Sequence, residues 1–451
     1  MTLSSAFISS PLDASLSRRA DALGLRLIAD GYGDRIAPGM NARCGDAHWL
    51  MLLGWCLASI HRVRPDLMQL SETERYRWLR PLELLWVREG LRSFGEEKGT
   101  GAQLPGRRSL ADQIDEPLRE WPRNFGLSRL AWRRYRQTGP YGAYRILIRS
   151  LRGFTTREDG DAGDGWWCGP LARILADDLA TNLGFSQPPE ASAKRDPEWF
   201  WREWWPGRWR NERTPWWRPI SSAEHIRALP ASTARNHLGK ALLDDGDDAR
   251  IRGHAITCLA KTAPRTFHKA LSCLEQRQST DLSGLTAFSE WSQAVFGVLE
   301  DIAKDIKDND ADIGKEGMPV HRIVTRIGRK AQYAGRLARK WLDSAAPAWI
   351  PPETMGIGQR LARQMHSARD PSQIVAAILH HHREHGQGAP WLILQKGYVG
   401  LASADGTARA ARYGFRLSQL TCLAAQLGRL DPDIAACVAD STDTTDEVGD
   451  G

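Results

Sequence analysis

Seven cysteines, at positions 44, 56, 168, 258, 273, 422 and 437, are spread over 451 residues without one CxxC pair. That scatter argues against a zinc site or a disulfide framework and fits reduced thiols in a cytoplasm. Long apolar runs are also missing. The longest, Trp49 to Ile60, is well short of the roughly 20 residues a membrane helix needs. The first twenty residues lack a charged start followed by an apolar stretch, so secretion and membrane insertion are disfavoured and a cytoplasmic chain with no membrane partner is expected. The loops and motifs of common enzymes are absent too: no GxxxxGK[ST], no GxGxxG after a strand, no GxSxG and no HExxH. P-loop ATP hydrolysis is therefore disfavoured, and neither a cofactor nor a catalytic residue is expected. One short ExK, Glu96 to Lys98, sits in a Gly-rich stretch without strand context and is a poor nuclease signal.

What the chain does carry is positive charge. Lys and Arg number 61 against 54 Asp and Glu, a net charge of +7. After Arg429 there are seven acids (Asp431, Asp433, Asp440, Asp443, Asp446, Glu447, Asp450) and no Lys or Arg, which leaves residues 1–430 at +14. A body this basic points to polyanionic partners.

The pattern is that of a mainly α, multi-domain helical protein with a winged helix-turn-helix-like unit and short β-hairpins. Residues 1–120 form an N-terminal helical domain whose clearest helix, Gly45 to Ile60, places Trp49, Leu52, Leu53, Cys56, Leu57 and Ile60 at spacings of three and four. Residues 121–190 form a winged-helix-like basic domain. Its segment 121–157 holds nine arginines, no acid and seven aromatics. Leu127 to Gln137 reads as a helix stopped by Gly139 and Pro140, Tyr141 to Arg152 as a second, and Gly153 to Gly169 as a hairpin before a third helix opening at Pro170. On the second helix Arg145, Arg149 and Arg152 share one face beside an apolar stripe of Tyr144, Leu147, Ile148 and Leu151, the division a recognition helix needs. With Arg133 and Arg134 they are candidate DNA contacts, against the alternative of a solvated face on an ordinary helical hairpin.

Residues 191–220 are a Trp/Arg-rich connector. Asp196 to Pro219 concentrates seven of the nineteen tryptophans among five arginines. Trp201, Trp204, Trp205 and Trp209 suit either base stacking or, more simply, a packing or protein interface. Residues 221–345 read as a helical bundle, with an exposed charged stretch at Asp305 to Glu316, closed by a basic helix from Pro319 to Leu342. At 100 degrees per residue Arg322, Arg326, Arg329, Tyr333, Arg336 and Lys340 fall within about 40 degrees of one line, with the apolar residues opposite. No acid lies between Gly317 and Leu342. A helix needing only solubility would mix signs, so this ridge suggests phosphate backbone, the alternative being an acidic partner within the protein.

Residues 346–430 read as a helix-hairpin-helix unit: a helix opened by Asp370 and Pro371 with Gln373 completing a capping box, a hairpin over Pro390 to Ala402, and a helix over Arg412 to Leu430. His381 and His385 have the spacing of a metal pair, but no third ligand is marked. Residues 431–451 are expected to be an acidic disordered tail.

Three stretches, NARCGDAHWLMLLGWCL (41–57), RRYRQTGPYGAYRILIRSLRGFTT with GPLARILADDL (133–156, 169–179), and HHHREHGQGAPWLIL with YGFRLSQL (380–394, 413–420), resemble poorly characterised proteins encoded in bacterial phage-defence gene clusters. The resemblance implies a non-ATPase component working beside a separately encoded helicase, motor or nuclease, and carries no catalytic residue over. Three functions follow as expectations: a DNA-binding defence component, a structural adaptor docking other defence subunits through its Trp-rich centre, and an effector nuclease with dispersed residues.

Overall fold

The computed structural model describes residues 21, 23–94, 105–106, 129–156, 165–182, 228–277, 281–309, 317–344, 347–385, 392–401 and 413–443. They build fifteen α-helices and one small sheet. The chain divides into two units, each assembled from separate stretches: residues 1–32, 266–415 and 442–451, and residues 33–265 and 416–441. No helix of the described residues is long and apolar enough to cross a membrane.

The unit formed by residues 33–265 and 416–441 is organised on helix α2 (Ala47–Val63), following α1 (Arg26–Ile36). Sequence AHWLMLLGWCLASIHRV is apolar on every side, which a helix tolerates only when surrounded, and fourteen of its residues are buried. Asp46 caps it, its side chain accepting from the His48 amide at 2.9 Å. Around it stand α3 (Glu72–Phe94), α4 (Arg129–Thr138), α5 (Pro140–Ser150) and α6 (Pro170–Asn182). Gly54 lets α6 approach closely, since a Cβ there would lie 2.7 Å from the Ala172 carbonyl oxygen. Helices α7 (Ser232–Leu243) and α8 (Asp247–Thr262) follow. Buried Arg252 on α8 ties three segments together, donating to Leu242 O at 2.8 Å, Pro38 O at 2.6 Å and Ser150 Oγ at 3.1 Å.

The other unit contains α9 (Phe267–Arg277), α10 (Leu285–Asp308), strand β1 (Met318–Pro319), α11 (Val320–Leu342), α12 (Pro352–Ser367), α13 (Pro371–His385) and the hairpin β2 (Leu392–Gln395) and β3 (Tyr398–Leu401). The sheet is antiparallel in the order β1-β3-β2, with Met318 opposite Val399 and Leu394 opposite Val399 from the other side. The hairpin thus lies where alternation placed it, and β1 holds the start of α11. Asp370 caps α13, accepting from the amides of Ser372 at 2.8 Å and Gln373 at 3.1 Å, while Gln373 reaches back to the Arg369 amide.

Several expectations need correction. The winged unit is not confirmed. A tight helix-turn-helix of α4 and α5 forms, but the described residues between Leu151 and Pro170 contain no strand. They close as a turn, Gly169 N donating to Phe154 O and Leu171 N to Gly153 O, both at 2.8 Å. The Asp/Gly tip, 157–164, lies outside the described residues. Helix α14 (Leu417–Gln426) starts later than Arg412 because Phe415 and Arg416 adopt left-handed backbone, φ 48° and 59°. The acidic tail is not wholly disordered: α15 (Pro432–Asp443) is a helix capped by Asp431, whose carboxylate accepts from the Asp433 amide, and it buries Ala435 and Val438. Charge counting overlooked that Asp-Pro start and the apolar pair three residues apart. Asp305 is buried within α10, not exposed. Cys44, Cys56, Cys168, Cys422 and Cys437 are free thiols, whereas Cys258 and Cys273 are each oxidised, against the expectation of reduced thiols.

Candidate functional site

Helix α11 separates into three rows. Ile323, Ile327, Ala331, Ala334, Leu337, Ala338 and Trp341 are buried. Trp341 stacks on Trp291 of α10, ring centroids 4.5 Å apart and planes at 14°. Gly335 admits its neighbours: a Cβ there would lie 3.0 Å from Ile374 Cδ1 and 3.3 Å from Met365 O.

The second row faces the acids of α10. Arg326 donates to Asp305, Lys330 Nζ lies 2.5 Å from Asp301 and Lys340 Nζ 2.6 Å from Glu290. Arg322 lies 3.5 Å from the Asn309 side-chain oxygen Oδ1. The partners descend α10 as the cations climb α11, as an antiparallel pair must arrange them. Arg322, Arg326 and Lys340, half of the expected phosphate ridge, thus meet groups of their own unit. These pairs remain at the surface, with the Arg326 and Lys340 side chains 47% and 56% exposed; helical periodicity gives relative angles but not which flank the next helix covers.

The third row is exposed throughout: His321, Thr325, Arg329, Gln332, Tyr333, Arg336 and Arg339. The Arg336 guanidinium lies 5.7 Å from the Tyr333 ring centroid. Arg339 makes a wholly surface pair with Asp343 at 3.5 Å, the kind of contact worth under about 1 kcal/mol and easily exchanged. Gln332 and Arg339 escaped the sequence reading, and turning the predicted face by about half a residue step would have found them.

The arginines of residues 129–152 have a different fate. Arg145 pairs with Glu72 at 2.8 Å and lies 5.9 Å from the Tyr141 ring. Arg136 lies 4.8 Å from the Tyr76 ring and 3.8 Å from Glu72. Beneath them, fully buried Arg80 and Glu83 stand 3.6 Å apart, the guanidinium 4.7 Å from the Tyr135 ring. Glu83 accepts the Tyr141 amide. Desolvation pushes the Glu83 carboxyl up to about 7, with the Arg80 charge opposing. Tyr141 stacks on Trp166 at 4.5 Å. Arg145, its side chain 30% exposed, thus already meets an acid and an aromatic face of its own unit. Arg149 is half-buried, its Cδ 3.1 Å from where a Cβ on Gly165 would lie, and Arg133 and Arg152 are exposed. The Arg134 side chain, Trp201, Trp204, Trp205, Trp209 and the ExK of 96–98 lie outside the described residues. Arg80, Glu83 and Glu72 were not singled out from the sequence, although ETERYRWLRPLE (72–83) interleaves both signs with aromatics.

His381 and His385 have ring centroids 4.6 Å apart. His381 is buried, its Nε2 hydrogen given to Leu23 O at 2.8 Å, and burial pushes it down to about 4, the His385 and Arg360 charges adding to the effect. No group of three His, Cys, Asp or Glu side chains gathers to hold a metal among the described residues. Compared with known proteins, the chain matches no family model, no curated protein and no solved structure.

Proposed function

We propose that the chain is a non-catalytic DNA-binding component of a bacterial antiphage system, acting beside a separately encoded helicase, motor or nuclease, and that it meets the phosphate backbone through the outer row of α11. The observation that carries this reading is the division of one helix's cations. Those on one flank are matched by Asp301, Asp305 and Glu290 of α10, whereas Arg329 and Arg336 are exposed with no acid on their own helix to balance them. Among the described residues the flank facing α10 meets three acids and the outer row only Asp343, so the outer row keeps more positive potential where a polyanion can reach it. The defence setting rests on the resemblance of the three stretches quoted above.

Binding through Arg329, Arg336 and Arg339 is mainly electrostatic. With about three phosphates neutralised, the logarithm of duplex affinity falls with the logarithm of salt at a slope of about −2.7. Fluorescence anisotropy of labelled DNA across a salt series measures it. The double substitution R329E/R336E is expected to weaken binding at least about tenfold at low salt and to leave unfolding within about 0.5 kcal/mol of the parent. A slope near zero, or an unchanged affinity in the double variant, overturns the proposal.

A further inference from the structure

The outer row of α11 is not uniformly charged: Tyr333 stands in it four residues after Arg329 and three before Arg336, with half of its surface exposed (50%). The other exposed large hydrophobic residues among the described residues, Leu27, Ile146 and Leu229, are aliphatic. A surface helix gains nothing in solubility or helix propensity from a bare tyrosine, for which Lys, Glu or Ala serves better. What a tyrosine adds among arginines is a flat π face beside groups that hold phosphates.

From this juxtaposition we infer that Tyr333 is a stacking platform and that the preferred ligand of the α11 face is single-stranded DNA, an inference that rests on the backbone-binding reading above. Magnitudes favour it. Three surface cations are few beside the six to ten phosphate contacts of a protein that grips duplex by charge. Stacking one base on an aromatic side chain adds roughly tenfold or more in affinity, comparable with all of that charge. A duplex hides its base faces inside the stack, so Tyr333 gains this only from an unpaired strand. The Arg336 guanidinium, 5.7 Å from the ring centroid, stands where it can hold the phosphate of a base stacked on the remaining ring face.

The test uses the full-length chain and three labelled probes of equal length: a thymidine oligomer, a blunt duplex and a uridine oligomer. The expected results are tighter binding to the thymidine strand than to duplex, about a tenfold loss for Y333A on the strand with less than about twofold on duplex, and near-parental binding for Y333F. Circular dichroism establishes that both variants are folded. Duplex binding that is salt-dependent and indifferent to Y333A, with no preference for the strand, sinks this inference and spares the backbone reading. Equal losses on strand and duplex overturn stacking, tighter binding to the uridine oligomer overturns the assignment to DNA, and salt-independent or absent binding to all three removes both proposals.

Discussion

Helices α5 and α11 each read as a cationic face beside an apolar stripe, yet their arginines end in opposite surroundings. On α5, Arg145 turns onto Glu72 and the Tyr141 ring, over a fully buried Arg80 and Glu83. On α11 all four of Arg326, Arg329, Arg336 and Lys340 reach solvent, and of these Arg326 and Lys340 also pair with acids of α10. The difference teaches that a run of like charge specifies neither a partner nor a direction. What decides is whether a neighbouring element brings carboxylates or aromatic faces within about 4 to 6 Å, and those residues lie elsewhere in the sequence.

The comparison breaks first at the buried pair. Glu83→Ala strips Arg80 of a carboxylate in contact and the Tyr141 amide of its acceptor, a loss of about 3–5 kcal/mol, read as a lowered urea midpoint. A Glu83→Ala protein as stable as the parent would mean that the α5 region is not an interior network at all.

The two units should also answer pH with opposite signs. His381, held down to about 4 by burial, takes a proton more readily unfolded than folded. Its share of stability is complete above about pH 6.5 and is lost as pH falls toward 4, on the order of 3 kcal/mol at most. Glu83, held up to about 7, keeps its proton in the folded state while the unfolded chain has released it, so stability falls as pH rises from about 4.5 through 7. Stability curves of His381→Gln and Glu83→Gln against pH, each compared with the parent, should lose these slopes separately. Slopes of the same sign would refute the assignment of one group.

The smallest effect sharpens the contrast between arginines. Arg145→Ala removes a partly exposed ion pair and the packing of its stem, about 1 kcal/mol. Arg329→Ala should stay within about 0.5 kcal/mol. Thermal melts of the two single variants measure the pair, and equal destabilisation would place Arg329 in an interior role as well.

Much of this was legible in the sequence, and the limit is instructive. The apolar α2, the Asp370-Pro371 start of α13, the β2–β3 hairpin and the amphipathic α11 all follow from periodicity and caps, which are local. Directions are not local. The acids opposite Arg326, Lys330 and Lys340 belong to another helix, and the carboxylate beneath Arg145 sits more than fifty residues before it. The wing is not confirmed for a related reason: Gly153 and Gly169 serve a turn as readily as a hairpin, and only the backbone bonds around them, Gly169 N to Phe154 O and Leu171 N to Gly153 O, choose. The His381 site was visible as an imidazole pair, but its donation to Leu23, far away in the chain, was not.

The rungs between α10 and α11 have a mechanical consequence. A slip of α11 by one turn, about 5.4 Å, would take Arg326 off Asp305, Lys330 off Asp301 and Lys340 off Glu290 together, and would unstack Trp341 from Trp291. The ladder is therefore a ratchet that fixes α11 lengthwise against α10.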